Sequence, residues 1–222
     1  MKFIVDASTL ISISQTCLIK TLENLRQLSC EFVITKSVEY EAVTHPMQIK
    51  RFELNAERIK KSIDDGWIEI LEPIAETEEI EKKIEFLANN SFFYKQKPIK
   101  IIHRGEIETL ALLKTRQADA LVIDERTARM LIENPEAMRK TIQRRKGLII
   151  NKNEKNISEL KSMFEDVSIL RSTELVAFAF ENGLLKDEIG DTKQSLEAAL
   201  YAVKYAGCAV SGFEIEQFLK GK

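Results

Sequence analysis

The chain has 222 residues, enough for one large domain or a domain with an appendage, and enough to bury a proper core. Its 44% hydrophobic and 31% charged content is that of an ordinary globular protein, which excludes a disordered or membrane-embedded chain. Net charge is −2 with an isoelectric point near 5.9, so any contact with nucleic acid has to rest on local patches.

Phe3–Val5 is a continuous apolar run of the kind a strand buried on both faces shows, and the fold is expected to begin with it. Asp6 ends the run, at the edge where open α/β sheets build their sites. Leu18, Leu22 and Leu25 recur at helical spacing and predict a helix from about Gln15 to Gln27. Phe32–Ile34 is a second short run, leading to Thr35 or Ser37 as N-cap and to a helix over SVEYEAV. Phe52, Ala56, Ile59 and Ile63 mark another helix, and Trp67–Leu71 a strand stopped by Pro73.

Ile80, Ile84 and Leu87 give a further helical stripe, whereas Ser91–Ile102, with Phe92, Phe93 and Tyr94, reads as irregular. A helix over RGEIETLALLKT follows, then Ala120–Ile123, a buried-strand run again ended by an acid, Asp124. The next helix carries Ala128, Leu131 and Ile132 and is interrupted at Pro135. Gly147–Ile150 is expected as a strand and 157–164 as a short helix. From Ser172 the chain reads as helical, closing on a capping box of Ser211 and Glu214. Alternating strands and amphipathic helices predict a mostly parallel sheet with helices on both faces. Right-handed crossovers would set the C-terminal strand ends on one edge. The expected division is 1–150 for this domain and 151–222 for a helical C-terminal extension, packed on the domain or on a partner.

Cys17, Cys30 and Cys208 are odd in number, far apart and without a CxxC or Cys/His pairing, so they read as small core residues in a reducing compartment. No apolar run approaches the roughly 18 residues of a membrane span, and Asp6 breaks the first one. Neither a signal peptide nor a span is expected, and the location expected is cytoplasmic.

Four acids fall at helix starts or strand ends: Asp6, Glu41, Glu106 and Asp124. Four carboxylates brought together cannot all stay ionised without a compensating cation. Oxygen-only ligation selects Mg²⁺ or Mn²⁺ over zinc, and such sites carry out phosphoryl chemistry. The chain has no GxxxxGKS, GxGxxG, GxSxG or HExxH, which removes the common nucleotide-binding, hydrolase and metalloprotease readings.

Four stretches carry a family resemblance: VDASTLI, SVEYEAV, RGEIETLAL and ADALVIDERTAR. In this order they resemble the PIN-domain ribonucleases, the superfamily of the VapC toxins, and within it the longer-tailed prokaryotic PIN-like proteins. The 18 residues from Glu106 to Asp124 match the spacing of the last two acids in VapC-like proteins. The resemblance covers about 1–132 and 174–220. It implies a three-layer α/β/α sandwich and a metal-dependent endoribonuclease. Asp6, Glu41, Glu106 and Asp124 would hold Mg²⁺ or Mn²⁺, and Ser8, Arg104, Arg126 and Arg129 would lie on the RNA side. It also implies an antitoxin protein as a candidate partner. Four departures stand out: Glu106 where many VapC proteins have Asp, Val122 where Thr or Ser is usual, Glu125 in place of the second Asp of an Asp-Asp pair, and 139–172 as an insertion.

Each residue also has a plainer reading. Asp6 caps a turn; Glu41 competes with Glu39, and Glu106 with Glu108; Asp119, before its strand, belongs to the opposite end from Asp124. Arg139, Lys140, Arg144, Arg145 and Lys146 form either a solvated helix face or an RNA-backbone patch. His103 reads as a loop residue and the Phe92–Tyr94 cluster as a satellite core or a base-stacking surface. The closing helices, with Phe178, Phe180, Phe213 and Phe218, cover the domain or make a homodimer contact.

Overall fold

The computed structural model describes residues 1–72, 74–116 and 118–221; the strand stop expected at Pro73 lies outside them. The first half runs β1 (Lys2–Val5), α1 (Ala7–Gln15), α2 (Lys20–Leu25), β2 (Glu31–Thr35), α3 (Lys36–Glu39), α4 (Glu53–Asp64), β3 (Ile68–Leu71) and α5 (Ala75–Asn89). Next come β4 (Phe92–Tyr94), β5 (Lys97–Pro98), α6 (Arg104–Arg116), β6 (Ala120–Val122), α7 (Arg126–Glu133), α8 (Pro135–Lys146), β7 (Asn151–Lys152) and α9 (Glu154–Met163). The chain closes with β8 (Ser168–Leu170), α10 (Ser172–Glu181), α11 (Lys186–Ile189), α12 (Lys193–Ala206) and α13 (Gly212–Lys220).

The central sheet is parallel throughout, in the order β3-β2-β1-β6-β8. Side chains alternate across it, as the period of two requires. Phe3, Val5, Phe32, Ile34, Ala120 and Val122 face one core, shared with α1, α2, α10, α12 and α13. Ile4, Val33, Leu121 and Ile123 face the other, shared with α5, α6, α7 and α9. The result is the expected three-layer sandwich. Both faces being covered explains why the strands read as unbroken apolar runs. From β1 the chain builds outward to β2 and β3, then returns to the other side with β6 and β8. The order therefore reverses between β1 and β6, and such a reversal opens a crevice at the C-terminal strand ends.

Several local expectations are corrected. The helix expected over Gln15–Gln27 is the shorter α2, continued by a 3-10 turn over Arg26–Leu28, and α1 before it was not expected. Asp6 caps α1 at once, and Cys17 takes φ 61° before α2 begins. Leu18, Leu22 and Leu25 are buried as their spacing predicts, but Cys17 is exposed at the turn while Cys30 and Cys208 are buried. No strand forms over Gly147–Ile150: Gly147 is the left-handed cap of α8 and Ile149 is 79% exposed. Strand β8 lies further on, inside the stretch read as an insertion. Ser91–Ile102 is not wholly irregular. Strands β4 and β5 form a hairpin that β7 joins in a small antiparallel sheet, with Phe92 fully buried. Pro135 is the first residue of α8, where its missing N–H is no loss. Phe178 and Phe180 pack against the core, whereas Phe213 is 69% exposed. No helix among the described residues is long and apolar enough to cross a membrane.

Candidate functional site

The crevice between β1 and β6 is organised by Ser8. Asp6 leaves β1 extended and caps α1, accepting the Ser8 N–H at 3.0 Å and the Ser8 hydroxyl at 2.6 Å. The same hydroxyl oxygen accepts the backbone N–H groups of Asp124 at 3.1 Å and Glu125 at 3.2 Å. One small side chain thus joins the two strand ends and holds the Asp6 carboxylate at the crevice.

Two helix starts bring in further carboxylates. Thr35 caps α3 by accepting the Val38 N–H, and α3 runs into a π-helical turn, Tyr40–Thr44. This turn sets Glu41 on the crevice side, while Glu39 accepts from the Thr44 hydroxyl elsewhere. In the first turn of α6, Glu106 accepts the His103 N–H at 2.8 Å and faces the crevice, whereas Glu108 pairs with Arg104 at 2.7 Å. Gly105 lies between them, with the space of its absent Cβ 3.5 Å from a Glu41 oxygen.

Of the four expected acids, Asp124 does not line this crevice. Asp124 is fully buried and its carboxylate accepts the N–H of Ser172 at 2.8 Å and the Ser172 hydroxyl at 2.6 Å, serving the first turn of α10. Glu125, one residue on, caps α7 by accepting from Thr127 and lines the crevice. Past a strand, successive side chains leave on opposite sides, so the carboxylate that reaches β1 is the second of the pair. Its sequence signal was the acidic pair at 124–125.

Asp6, Glu41, Glu106 and Glu125 surround one cavity of about 540 Å³, with Ser8, His103 and Thr127 also on its wall. Burial pushes Glu106 up to about 7, and the charges of Glu125, Asp6 and Glu41 act in the same direction against the His103 N–H. Asp6 is raised by burial, with its Ser8 bonds opposing and Glu125 adding. Partial burial raises Glu41 too, with Asp6 second. Mutual repulsion of this kind is what a cation would relieve. The donors are hard carboxylate oxygens with no thiolate among them, so they fit Mg²⁺ or Mn²⁺ in kind. As the side chains stand, no three His, Cys, Asp or Glu among the described residues are close enough to hold an ion.

A PIN-domain family model matches residues 2–165. The chain belongs to the PIN-domain family. PIN domains are in general nucleases and typically use divalent metal ions. The PIN match runs through α8, β7 and α9, and so spans most of the stretch read as an insertion. No curated protein and no solved structure matches the chain.

The other residues expected at the PIN site are spread around it. Arg104 is exposed beside the crevice and paired with Glu108. Arg126 is exposed on the first turn of α7. Arg129 is mostly covered, donating to the Ala209 carbonyl and pairing with Glu133 at 3.6 Å. Asp119 accepts the Lys2 N–H at the far end of the sheet, as its place before β6 implies. Of the basic run, Arg144, Arg145 and Lys146 occupy the last turn of α8, where positive charge complements the helix dipole.

Proposed function

We propose that this PIN domain is a Mg²⁺- or Mn²⁺-dependent endoribonuclease. The observation that carries the proposal is the meeting of Asp6, Glu41, Glu106 and Glu125 around one cavity at the strand-order reversal. These four would hold the cation, with Asp124 bracing the site from behind. A bound divalent cation supplies charge to bind the RNA phosphate, to acidify a water and to stabilise the departing oxygen. Ser8 holds Asp6 and the 124–125 backbone in register. Water oxygen bonds to phosphorus as a bridging P–O bond breaks. The water's proton passes to solvent. The departing oxygen takes a proton from solvent.

In this reading the protein acts in the cytoplasm, and a protein with a basic tail could silence it by entering the acidic cavity, as an antitoxin does. The exposed Phe213 face is available for self-association. The test is cleavage of a labelled RNA oligonucleotide with Mn²⁺. Asp6→Asn should abolish cleavage while its melting temperature in EDTA stays equal or rises, because one repelling charge is gone. Cleavage unchanged in that variant would sink the proposal.

A second reading is a PIN-like module that binds RNA or protein without cutting. It is favoured by Asp124 being fully engaged by Ser172 and by the separation of the four carboxylates. It requires that calorimetry show no saturable Mn²⁺ binding.

A further inference from the structure

A second cavity, of about 630 Å³, opens beside the acidic one, and the two share Glu41 and Gly105 as a common wall. Its own wall is chemically different: Tyr40, His45, Lys36, Ser37 and Arg104. The π-helical turn creates it. At 3.6 residues per turn, residues five apart lie well around the helix from one another. Here the His45 N–H bonds to the Tyr40 carbonyl at 2.9 Å, five residues back, and this wider turn brings both rings to one side. The ring centroids are 6.1 Å apart at 36°, and Tyr40 is 56% exposed, a large aromatic face left open to solvent. Lys36 and Arg104 flank it. Each is paired, with Glu72 and Glu108 respectively, but the two cations are exposed, and exposed pairs are weak enough for a phosphate to compete.

We propose that this cavity is a nucleotide subsite for single-stranded RNA, in which a base flanking the cleaved phosphate stacks on Tyr40 and His45 while Lys36 and Arg104 meet the backbone. The inference rests on the nuclease reading for its register and deepens it by assigning the residues that hold the base beside the cleaved phosphate. An aromatic face beside cations is the pattern that holds unpaired bases. A base in a duplex is stacked on its neighbours and has no free face to offer Tyr40. The cations carry charge opposite to a phosphate, while the shared Glu41 wall puts the next phosphate against the acidic cavity.

The test is fluorescence anisotropy of a labelled eight-nucleotide oligouridylate and of a labelled RNA duplex, with the full chain in Ca²⁺ so that carboxylate repulsion is neutralised. Tyr40→Ala should weaken single-strand binding about 5- to 100-fold, the range of one lost stacking contact, and should leave the Mn²⁺ titration unchanged. Tyr40→Phe should bind like wild type, since stacking needs the ring and not the hydroxyl. Duplex RNA should bind more weakly than the single strand and ignore Tyr40. Equal single-strand affinities of wild type and Tyr40→Ala would overturn the subsite and leave the ring to a protein partner. Equal losses in Tyr40→Ala and Tyr40→Phe would overturn the stacking contact. Mn²⁺-dependent cleavage indifferent to Tyr40 would defeat the subsite alone. Tyr40-dependent binding without any cleavage would defeat the nuclease reading alone.

Discussion

Asp124 and Ser172 are joined twice, through the backbone N–H at 2.8 Å and the hydroxyl at 2.6 Å, at a carboxylate with no exposure to solvent. Since Ile123 also donates to the Leu170 carbonyl at 2.8 Å, the end of β6 is fastened to the β8–α10 junction through Asp124, as well as to Ser8 through its backbone. The acid that the sequence pattern points to is bonded to α10, and its neighbour Glu125 lines the crevice.

Asp124→Ala should therefore be a stability variant. It strands the first N–H of α10 and the Ser172 hydroxyl in a dry site, at about 2–4 kcal/mol in all for the two lost bonds. Urea unfolding should show a lower midpoint at unchanged slope. A loss below about 0.5 kcal/mol, the size of an ordinary surface change, would contradict the bracing role.

Glu125→Gln should separate the two acids in the other direction. Removing its charge relieves repulsion on Glu106 and Asp6, so the melting temperature in EDTA should hold or rise. Mn²⁺-dependent cleavage should fall by at least about 10-fold, the loss seen even for outer partners of metal ligands. Full cleavage by Glu125→Gln, together with none by a folded Asp124→Asn, would return the role to Asp124.

The parallel core was legible because Phe3–Val5, Phe32–Ile34 and Ala120–Ile123 are unbroken apolar runs, the mark of strands covered on both faces. Strand β8 was not. It is three residues long, half-exposed at the sheet edge, and no apolar run announces it. The β4–β5 hairpin was hidden for another reason: Lys95 and Gln96 turn it at φ 45° and 65°, without the Asn or Gly that usually signals such a turn. At the site, helix starts and strand ends were the signal for Asp6, Glu41 and Glu106, and all three line the crevice. The choice between Asp124 and Glu125 depends on Ser172, 48 residues away, and spacing carries no information about that partner.

Stability should depend on pH through Glu106. Its folded value of about 7 lies above the ordinary 4.5, so the folded state holds a proton that the unfolded chain has released. That contribution is complete below about pH 4.5 and is lost as pH rises through about 7. Asp6 and Glu41, also raised, act in the same sense. Glu214 works outside this window: despite partial burial it is pulled to about 2 by Arg171 and the Ser211 cap, so its stabilisation is lost only as pH falls from about 4.5 towards 2. Thermal unfolding in EDTA should thus show a melting temperature declining from pH 4.5 to 7. Glu106→Gln should flatten the decline, and Mn²⁺ should offset it. A flat wild-type profile would contradict the crowding of carboxylates.

Ser8→Ala tests the strand-end junction itself. The variant removes one donor to Asp6 and the acceptor of two backbone N–H groups, those of Asp124 and Glu125, in a partly buried setting. Stability should drop by about 1–3 kcal/mol. A purely structural serine would stop there. Because its hydroxyl also orients Asp6, Mn²⁺ affinity measured by calorimetry on the folded variant should weaken about 10- to 100-fold, as when the partner behind a ligating carboxylate is lost. Ser8→Thr keeps the hydroxyl and should recover most of that affinity. Equal Mn²⁺ affinities in wild type and Ser8→Ala would limit Ser8 to joining β1 and β6.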